Sequence, residues 1–256
     1  MIERERNGGV LRLTLNAPER LNALSDEMLA ALSGALAETG DAKAVILAGA
    51  GRAFCAGHDL RQMQAARQAE DGGAAAFADL FARCTEVMLS IRALPVPVIA
   101  QVHGVAVAAG CQLAATCDMV VAAEDARFGV NGVNIGLFCS TPMVALTRSV
   151  GRKAAFEMLT TGRLVGAEEA QRMGLVNRVV PTHGLANETM ALAQEVASKL
   201  GAAVRIGKRL FHEQAEMDER AAYALAGEAM VANLADPDTA EGMQAFIEKR
   251  PPRWHG

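Results

Sequence analysis

Residues 103–118, HGVAVAAGCQLAATCD, hold small side chains so densely that only a close approach of two backbones accounts for them. Gly104, Ala106, Ala108, Ala109 and Gly110 leave main-chain N–H groups uncovered just where residues 111–116 begin a helical pattern. A helix N-terminus carries a partial positive charge, so the stretch reads either as an oxyanion platform or as a buried strand-to-helix turn. Residues 49–60, GAGRAFCAGHDL, have the same character and also sit between a buried strand and a helical pattern. Any fold for this chain has to bring two such turns together.

The segments around them follow one grammar. Val10 to Leu15 alternates apolar and polar and runs into Asn16-Ala17-Pro18, a strand ending in a turn. Ser25, ahead of Asp26 and Glu27, predicts the N-cap of a helix reaching Glu38, and AVILA at 44–48 predicts a strand covered on both faces. Residues 61–73 are polar, with Glu70-Asp71-Gly72-Gly73 expected to be a mobile loop. Residues 74–93 predict a long helix that Pro95 and Pro97 end, residues 96–102 another buried strand, and residues 119–122 a fourth. Helix, buried strand, small-residue turn, helix thus occurs twice, which suits successive turns of a spiral of parallel strands better than a doubly wound sheet. Beyond Phe128 the chain is expected to be mostly helical: Ser140-Thr141-Pro142 reads as a cap, 152–160 and 167–173 as helices, 176–180 as a brief strand, and Asp236-Pro237 as the opening of the last helix.

Composition bounds the partners. A net charge of −4 and no Lys/Arg run beyond Lys208-Arg209 and Lys249-Arg250 leave no footprint for a nucleic acid, though a small anionic ligand stays possible. MIERERNGG has no apolar core, so neither a signal peptide nor an anchor is expected, and no stretch is apolar for long enough to suggest a membrane partner. Cysteines 55, 84, 111, 117 and 139 are odd in number and contain no CxxC pair, which points to reduced thiols and an expected cytoplasmic location. His103, His183, His212 and His255 show no ligand spacing, so no metal is assigned.

Two N–H groups, one from each turn, converge on a single oxygen if the strands ahead of them are neighbours. They serve a thioester carbonyl becoming an enolate, because charge develops on that oxygen only as the reaction proceeds. Together AFCAGHDL, PVPVIAQVHG, AAGCQLAATCD, GVNIGL and EGMQAFIEKR resemble the crotonase superfamily, the enoyl-CoA hydratase/isomerase family, across essentially the whole chain. The resemblance implies an α/β fold with a ββα spiral core, taken here as 1–195, and a C-terminal helical trimerisation region at 196–256. It implies a homotrimer or dimer of trimers acting on acyl-coenzyme A, with no permanently bound cofactor and coenzyme A arriving as part of the substrate. Carried over by position, the oxyanion hole is formed by the backbone N–H groups of His58 and Ala109. Asn22, Ala23, Leu24 and the segment Ala56, His58, Asp59, Leu60, Arg61 line the coenzyme, and Phe246 and Lys249 reach a coenzyme, on this or a neighbouring subunit. Lys249 also reads as a solvated helix end.

The departures from the family pattern bear on the chemistry. Hydratases of this family use two glutamates; here those positions are Gln112 and Gly132, neither of which moves a proton. Each such group contributes about 10²- to 10⁴-fold, so a normal hydration rate is not expected. His58 is the one candidate whose titration suits pH 7, either as a working imidazole or as a side chain whose N–H alone matters. Some acyl-CoA decarboxylases of the superfamily carry AGHD with a segment like Val133-Asn134-Ile135-Gly136, but place a tyrosine where this chain has Cys139. Cys139 reads as a buried thiol or a neighbour of the acyl group, and Asn131 and Asn134 as possible acyl contacts. A plain alanine at Ala109 raises the question of strain if that position takes a positive φ. Three readings follow: a slow or unusual member of the hydratase/isomerase family in fatty-acid or related acyl-CoA metabolism, a malonyl-type decarboxylase using the hole and His58, and an acyl-CoA binder without chemistry.

Overall fold

A computed structural model of the chain describes residues 1–255. The charged N-terminus is a strand, β1 (Ile2–Asn7), joined through Gly8-Gly9 to β2 (Val10–Leu15) as an antiparallel hairpin. Its exposed charges suit an edge strand, where they discourage pairing with another chain. Helix α1 (Asp26–Ala37) begins where the Ser25 hydroxyl accepts from the Met28 N–H at 3.2 Å, and β3 (Ala44–Gly49) follows, almost wholly buried. Beyond the first small-residue turn come α2 (Leu60–Ala66) and α3 (Ala74–Ala93). Of the polar residues 61–73, the first six lie in α2, and Glu70-Asp71-Gly72-Gly73, expected to be a mobile loop, is a bonded turn in which Asp71 accepts from the N–H groups of Gly73 and Ala75 at 2.8 and 2.9 Å. Strands β4 (Val98–Val102) and β5 (Val105–Val107) lead into α4 (Ala109–Thr116), then β6 (Met119–Ala123) and β7 (Arg127–Gly129).

Strands β1 to β4 and β6 are consecutive neighbours in one sheet, and all pairs but the first are parallel. A second line of pairing runs beside it: Leu24 bridges His58, Cys55 bridges Ala106, and β5 pairs with β7. Each turn of the chain therefore lays one strand in the large sheet, one short strand or bridge in the second line, and one helix outside. That is a ββα spiral, and its repeat advances in one direction as parallel crossovers require. Helices α1, α3 and α4 bury their apolar faces against it.

The remainder is α5 (Ser140–Ser149), α6 (Arg152–Thr161), β8 (Val165–Gly166), α7 (Ala167–Arg172), β9 (Arg178–Val180) and α8 (Leu185–Ala197). Strand β9 closes the large sheet and β8 the small one. Ser140, expected as a cap, is the first residue of α5; its hydroxyl meets the Phe138 carbonyl at 3.4 Å, and Cys139 holds the cap position. Helices α9 (Gly201–Gln214), α10 (Glu219–Leu234) and α11 (Pro237–Ile247) follow, the last capped by Asp236 as expected. A buried ion pair ties α9 to the spiral: Lys208, 8% exposed, donates to Asp118 at 2.7 Å and to the carbonyls of Ile91 and Val96 at 2.9 and 3.0 Å.

Candidate active site

The two small-residue turns lie against each other. Phe54 and Cys55 N–H groups donate to the His103 and Val105 carbonyls, and Val107 N–H donates back to Cys55, each at 3.1 Å. A side chain at Gly110 would put its Cβ 2.1 Å from the Cys55 carbonyl oxygen, so only glycine lets α4 start this close. Gly57, at φ +89°, turns the chain so that a Cβ there would lie 3.2 Å from the Ala109 nitrogen and 3.0 Å from the Ala108 methyl. The N–H groups of His58 and Ala109, one from each turn, have no acceptor among the described residues. The strain anticipated at Ala109 sits one residue earlier: Ala108 has φ +50° and ψ −121°, a region L-residues rarely enter. Its own N–H is held by the Gly129 carbonyl at 2.8 Å, and the distortion turns the next N–H out of the strand ladder.

These turns wall a cavity of about 350 Å³, closed on the far side by residues 131–142. Ala56, His58, Leu60, Ala109 and Gly132 line it, and Ile135, Leu137 and Phe138 form a largely exposed apolar rim. Among its lining residues only His58 and Cys139 carry an ionisable side chain; no carboxylate, amine or phenol is present. Both His58 ring nitrogens are buried and without a hydrogen-bond partner, and the ring stands edge-on to Phe81 at 5.6 Å between centroids. Burial pushes the imidazole pKa below its ordinary value, with the nearby Leu24 carbonyl pulling more weakly the other way. Neutral at pH 7, the ring has one donor and one acceptor, and neither meets a partner in the structure. The Cys139 sulfur accepts the Gly132 N–H at 3.3 Å, and burial raises its pKa, so it stays a thiol.

The two positions where the resemblance places glutamates fare differently. A Cβ on Gly132 would meet the Leu137 carbonyl oxygen at 2.3 Å and the Cys139 sulfur at 2.8 Å, so the site of the second carboxylate is closed to any side chain. Gln112 lines an adjoining cleft rather than the cavity of His58 and Ala109, and its Oε1 is buried without a partner.

Of the expected coenzyme contacts, Ala56, His58 and Leu60 reach the cavity wall. Asn22 is instead a brace: fully buried, it accepts the Ala17 N–H and donates to the carbonyls of Ala50 and Ala53 at 2.8 to 3.0 Å. Ala23 and Leu24 are buried beside it, and the Leu24 N–H donates to Gly57 at 2.7 Å, which fixes the first turn. Asp59 caps α2 through the N–H groups of Arg61 and Gln62, with Arg20 3.6 Å away. Arg61 lies exposed on α2; Phe246, 84% exposed, and Lys249 line neither the cavity nor the cleft. The apolar rim was not anticipated, although large apolar residues around Gly136, outside any helical pattern, signalled it. Among the described residues no group of His, Cys, Asp or Glu is placed to hold a metal, and no helix is long and apolar enough to cross a membrane.

Comparison with known proteins places these features. The family model described as enoyl-CoA hydratase/isomerase matches residues 5–256. A mouse protein, enoyl-CoA hydratase domain-containing protein 3, mitochondrial, is 47% identical over 249 residues, covering 96% of this chain and 81% of its own. An enoyl-CoA hydratase from Mycobacterium smegmatis has a crystal structure that superposes with a TM-score of 0.94 at 54% identity, covering 100% and 99% of the two chains. Human enoyl-CoA hydratase domain-containing protein 3 superposes at 0.93 with 43% identity over 99% of each chain. The expected cytoplasmic location is overturned by the mouse and human relatives, both mitochondrial by name. Free thiols argue only against an oxidising compartment and do not choose among reducing ones.

Proposed function

Because this chain belongs to the enoyl-CoA hydratase/isomerase family, we propose that it acts on acyl-coenzyme A thioesters by stabilising a thioester enolate, with the N–H groups of His58 and Ala109 holding the oxygen and the His58 imidazole moving the proton. The observation that carries this reading is that two unpaired backbone N–H groups and two unpaired ring nitrogens belong to residues lining one cavity without a carboxylate. Each preorganised donor to a developing oxyanion supplies about 10²- to 10³-fold in rate. An imidazole nitrogen accepts the α-proton, the C–H electron pair becomes the C=C bond of the enolate, and the carbonyl π pair moves onto the oxygen. The same nitrogen returns a proton to carbon.

Hydration by two carboxylates is not available to this site. Gln112 lies in the adjoining cleft and Gly132 has no room for a side chain. One further reading draws support from the lowered His58 pKa, which makes the ring a weak base. In a malonyl-type thioester the C–C bond to the carboxylate breaks, CO₂ leaves, and the released electron pair forms the same enolate with no base at all; water then supplies the proton that carbon takes, relayed by the His58 ring as one nitrogen gains a proton while the other gives one up. Coenzyme A enters and leaves with the substrate, and no resident cofactor takes part. The exposed apolar residues Tyr223, Met230, Val231, Phe246 and Ile247 on α10 and α11 support assembly as a trimer or dimer of trimers.

The test is incubation in deuterium oxide with a panel of saturated, unsaturated and malonyl-type acyl-CoA thioesters, read by mass spectrometry. Deuterium at the α-carbon or loss of CO₂, each abolished in His58→Gln, is expected. Micromolar affinity without exchange, CO₂ release or any product leaves a binding protein and overturns the enolate reading.

A further inference from the structure

Thr141 lines the proposed acyl cavity. That residue also lines the adjoining cleft of about 560 Å³, and the same three helices wall both spaces. Phe81 of α3 is in the cavity and Arg92 in the cleft; Ala109 of α4 is in the cavity and Gln112 in the cleft; α5 runs from Thr141, in both, to Arg148 in the cleft. At a rise of about 1.5 Å per residue, the two arginines lie on the order of 10–15 Å beyond the cavity residues of their helices.

We propose that this cleft seats the far end of the acyl group and that the group ends in a carboxylate, recognised by Arg92 and Arg148. The inference rests on the thioester reading and adds the substrate class. Two observations carry it. Gln112 lines the cleft and is only 5% exposed, yet its buried amide oxygen has no hydrogen-bond partner. Half a turn of the amide presents an N–H at the same place, so either way a polar atom is held for a ligand. Arg92 has no carboxylate within ion-pair distance; its Nη2 meets only the His212 ring at 3.4 Å. Arg148 donates to the Val144 carbonyl at 3.0 Å, and its Nε is 3.5 Å from Glu216. The cleft's other acid, Asp118, is already matched by Lys208 at 2.7 Å and His212 at 3.3 Å, so the net charge facing a ligand is positive. A chain of roughly eight to twelve atoms, at about 1.2 Å per atom when extended, spans the distance.

The experiment is calorimetric titration with unreactive S-alkyl thioethers of coenzyme A: a two-carbon chain, a ten-carbon chain ending in methyl, and a ten-carbon chain ending in carboxylate. The carboxylate-ended probe binds wild type about threefold to tenfold tighter than the methyl-ended one, a modest gain because both arginines are partly solvated. In Arg92→Gln/Arg148→Gln that advantage disappears while the two-carbon probe binds as before, which shows the variant is folded. Equal or weaker binding of the carboxylate-ended probe, or an advantage that survives the double substitution, overturns this proposal and leaves the thioester reading standing. Failure of all three probes overturns both.

Discussion

The two ends of α4 carry buried polar groups that are treated in opposite ways. Past its C-terminal end, Asp118 accepts the Val98 N–H and the Lys208 ammonium, both at 2.7 Å, and all three Lys208 donors find acceptors. At its N-terminal end the Ala109 and His58 N–H groups and both His58 ring nitrogens find none, and Ala108 is held at a strained φ of +50°. A buried polar group without a partner costs about 1–3 kcal/mol, so a fold that matches the donors at one end of a short helix and leaves three donors and one acceptor unmatched at the other is consistent with holding the second end for something that binds. The satisfied end is architecture. The unsatisfied end is the proposed site.

The largest effect that tests this contrast is on stability. Lys208→Met leaves Asp118 buried without its cation and strips donors from the Ile91 and Val96 carbonyls. It is expected to cost about 3–5 kcal/mol in urea denaturation. Affinity for acyl-CoA in the fraction that stays folded is expected to change by less than about twofold. A comparable loss of binding with little loss of stability breaks the comparison.

The mirror substitution, His58→Gln, is expected to lower α-proton exchange or CO₂ release by about 10²- to 10⁴-fold, the range for a positioned proton-transfer group. Stability stays within about 1 kcal/mol, because the ring makes no hydrogen bond to lose. Binding of a two-carbon thioether stays intact, since that probe has no carbonyl to polarise and no acidic proton for the ring to take. If the variant unfolds while its remaining folded fraction turns over normally, His58 belongs to the architecture instead.

What the chain reveals before folding divides along the same line. The Ser25 cap, the buried AVILA strand, the long helix at 74–93 and the Asp236-Pro237 start are legible because their causes are local: one hydroxyl, one apolar run, two prolines. The two turns are legible too, because close backbone approach demands small residues wherever it occurs. Strands β5 and β7 are not, since three residues carry no usable period and exist only through pairing with distant chain. Nor is the wall behind Gly132, which is the carbonyl of Leu137 folded back by a 3-10 turn. Asn22 reads as a ligand contact because it is polar and near a glycine-rich turn; its three bonds to Ala17, Ala50 and Ala53 show that the turn itself uses all of it.

A smaller effect sharpens the strained end. Ala108→Gly removes a penalty of about 1–3 kcal/mol for an L-residue at this φ and adds the roughly 0.5–1 kcal/mol that glycine costs in a folded chain. Thermal unfolding is expected to show a net gain of about 1 kcal/mol, with turnover changed little, because the Gly129 carbonyl still fixes the turn. A loss of stability means that the methyl packed on Gly57 matters more than the dihedral.

The smallest effect is the dependence on pH. Burial lowers the His58 pKa below its ordinary 6.5, so in the window between those values the unfolded chain takes up a proton that the folded chain refuses. The unfolded state then binds more protons, and stability falls as the pH drops from about 6.5 towards the folded value, by less than about 1.4 kcal/mol per unit. Above 6.5 the ring is neutral in both states and this contribution is flat. Denaturation of wild type and His58→Gln across that window isolates it: the difference between the two curves is expected to slope only on the acid side. The rate of α-proton exchange is expected to rise with pH through a midpoint below 6.5 and then level off, because the neutral ring is the form that accepts the proton. Two midpoints that agree assign the titration to the ring in the cavity. A rate profile centred well above 6.5 assigns the proton transfer to a group outside it.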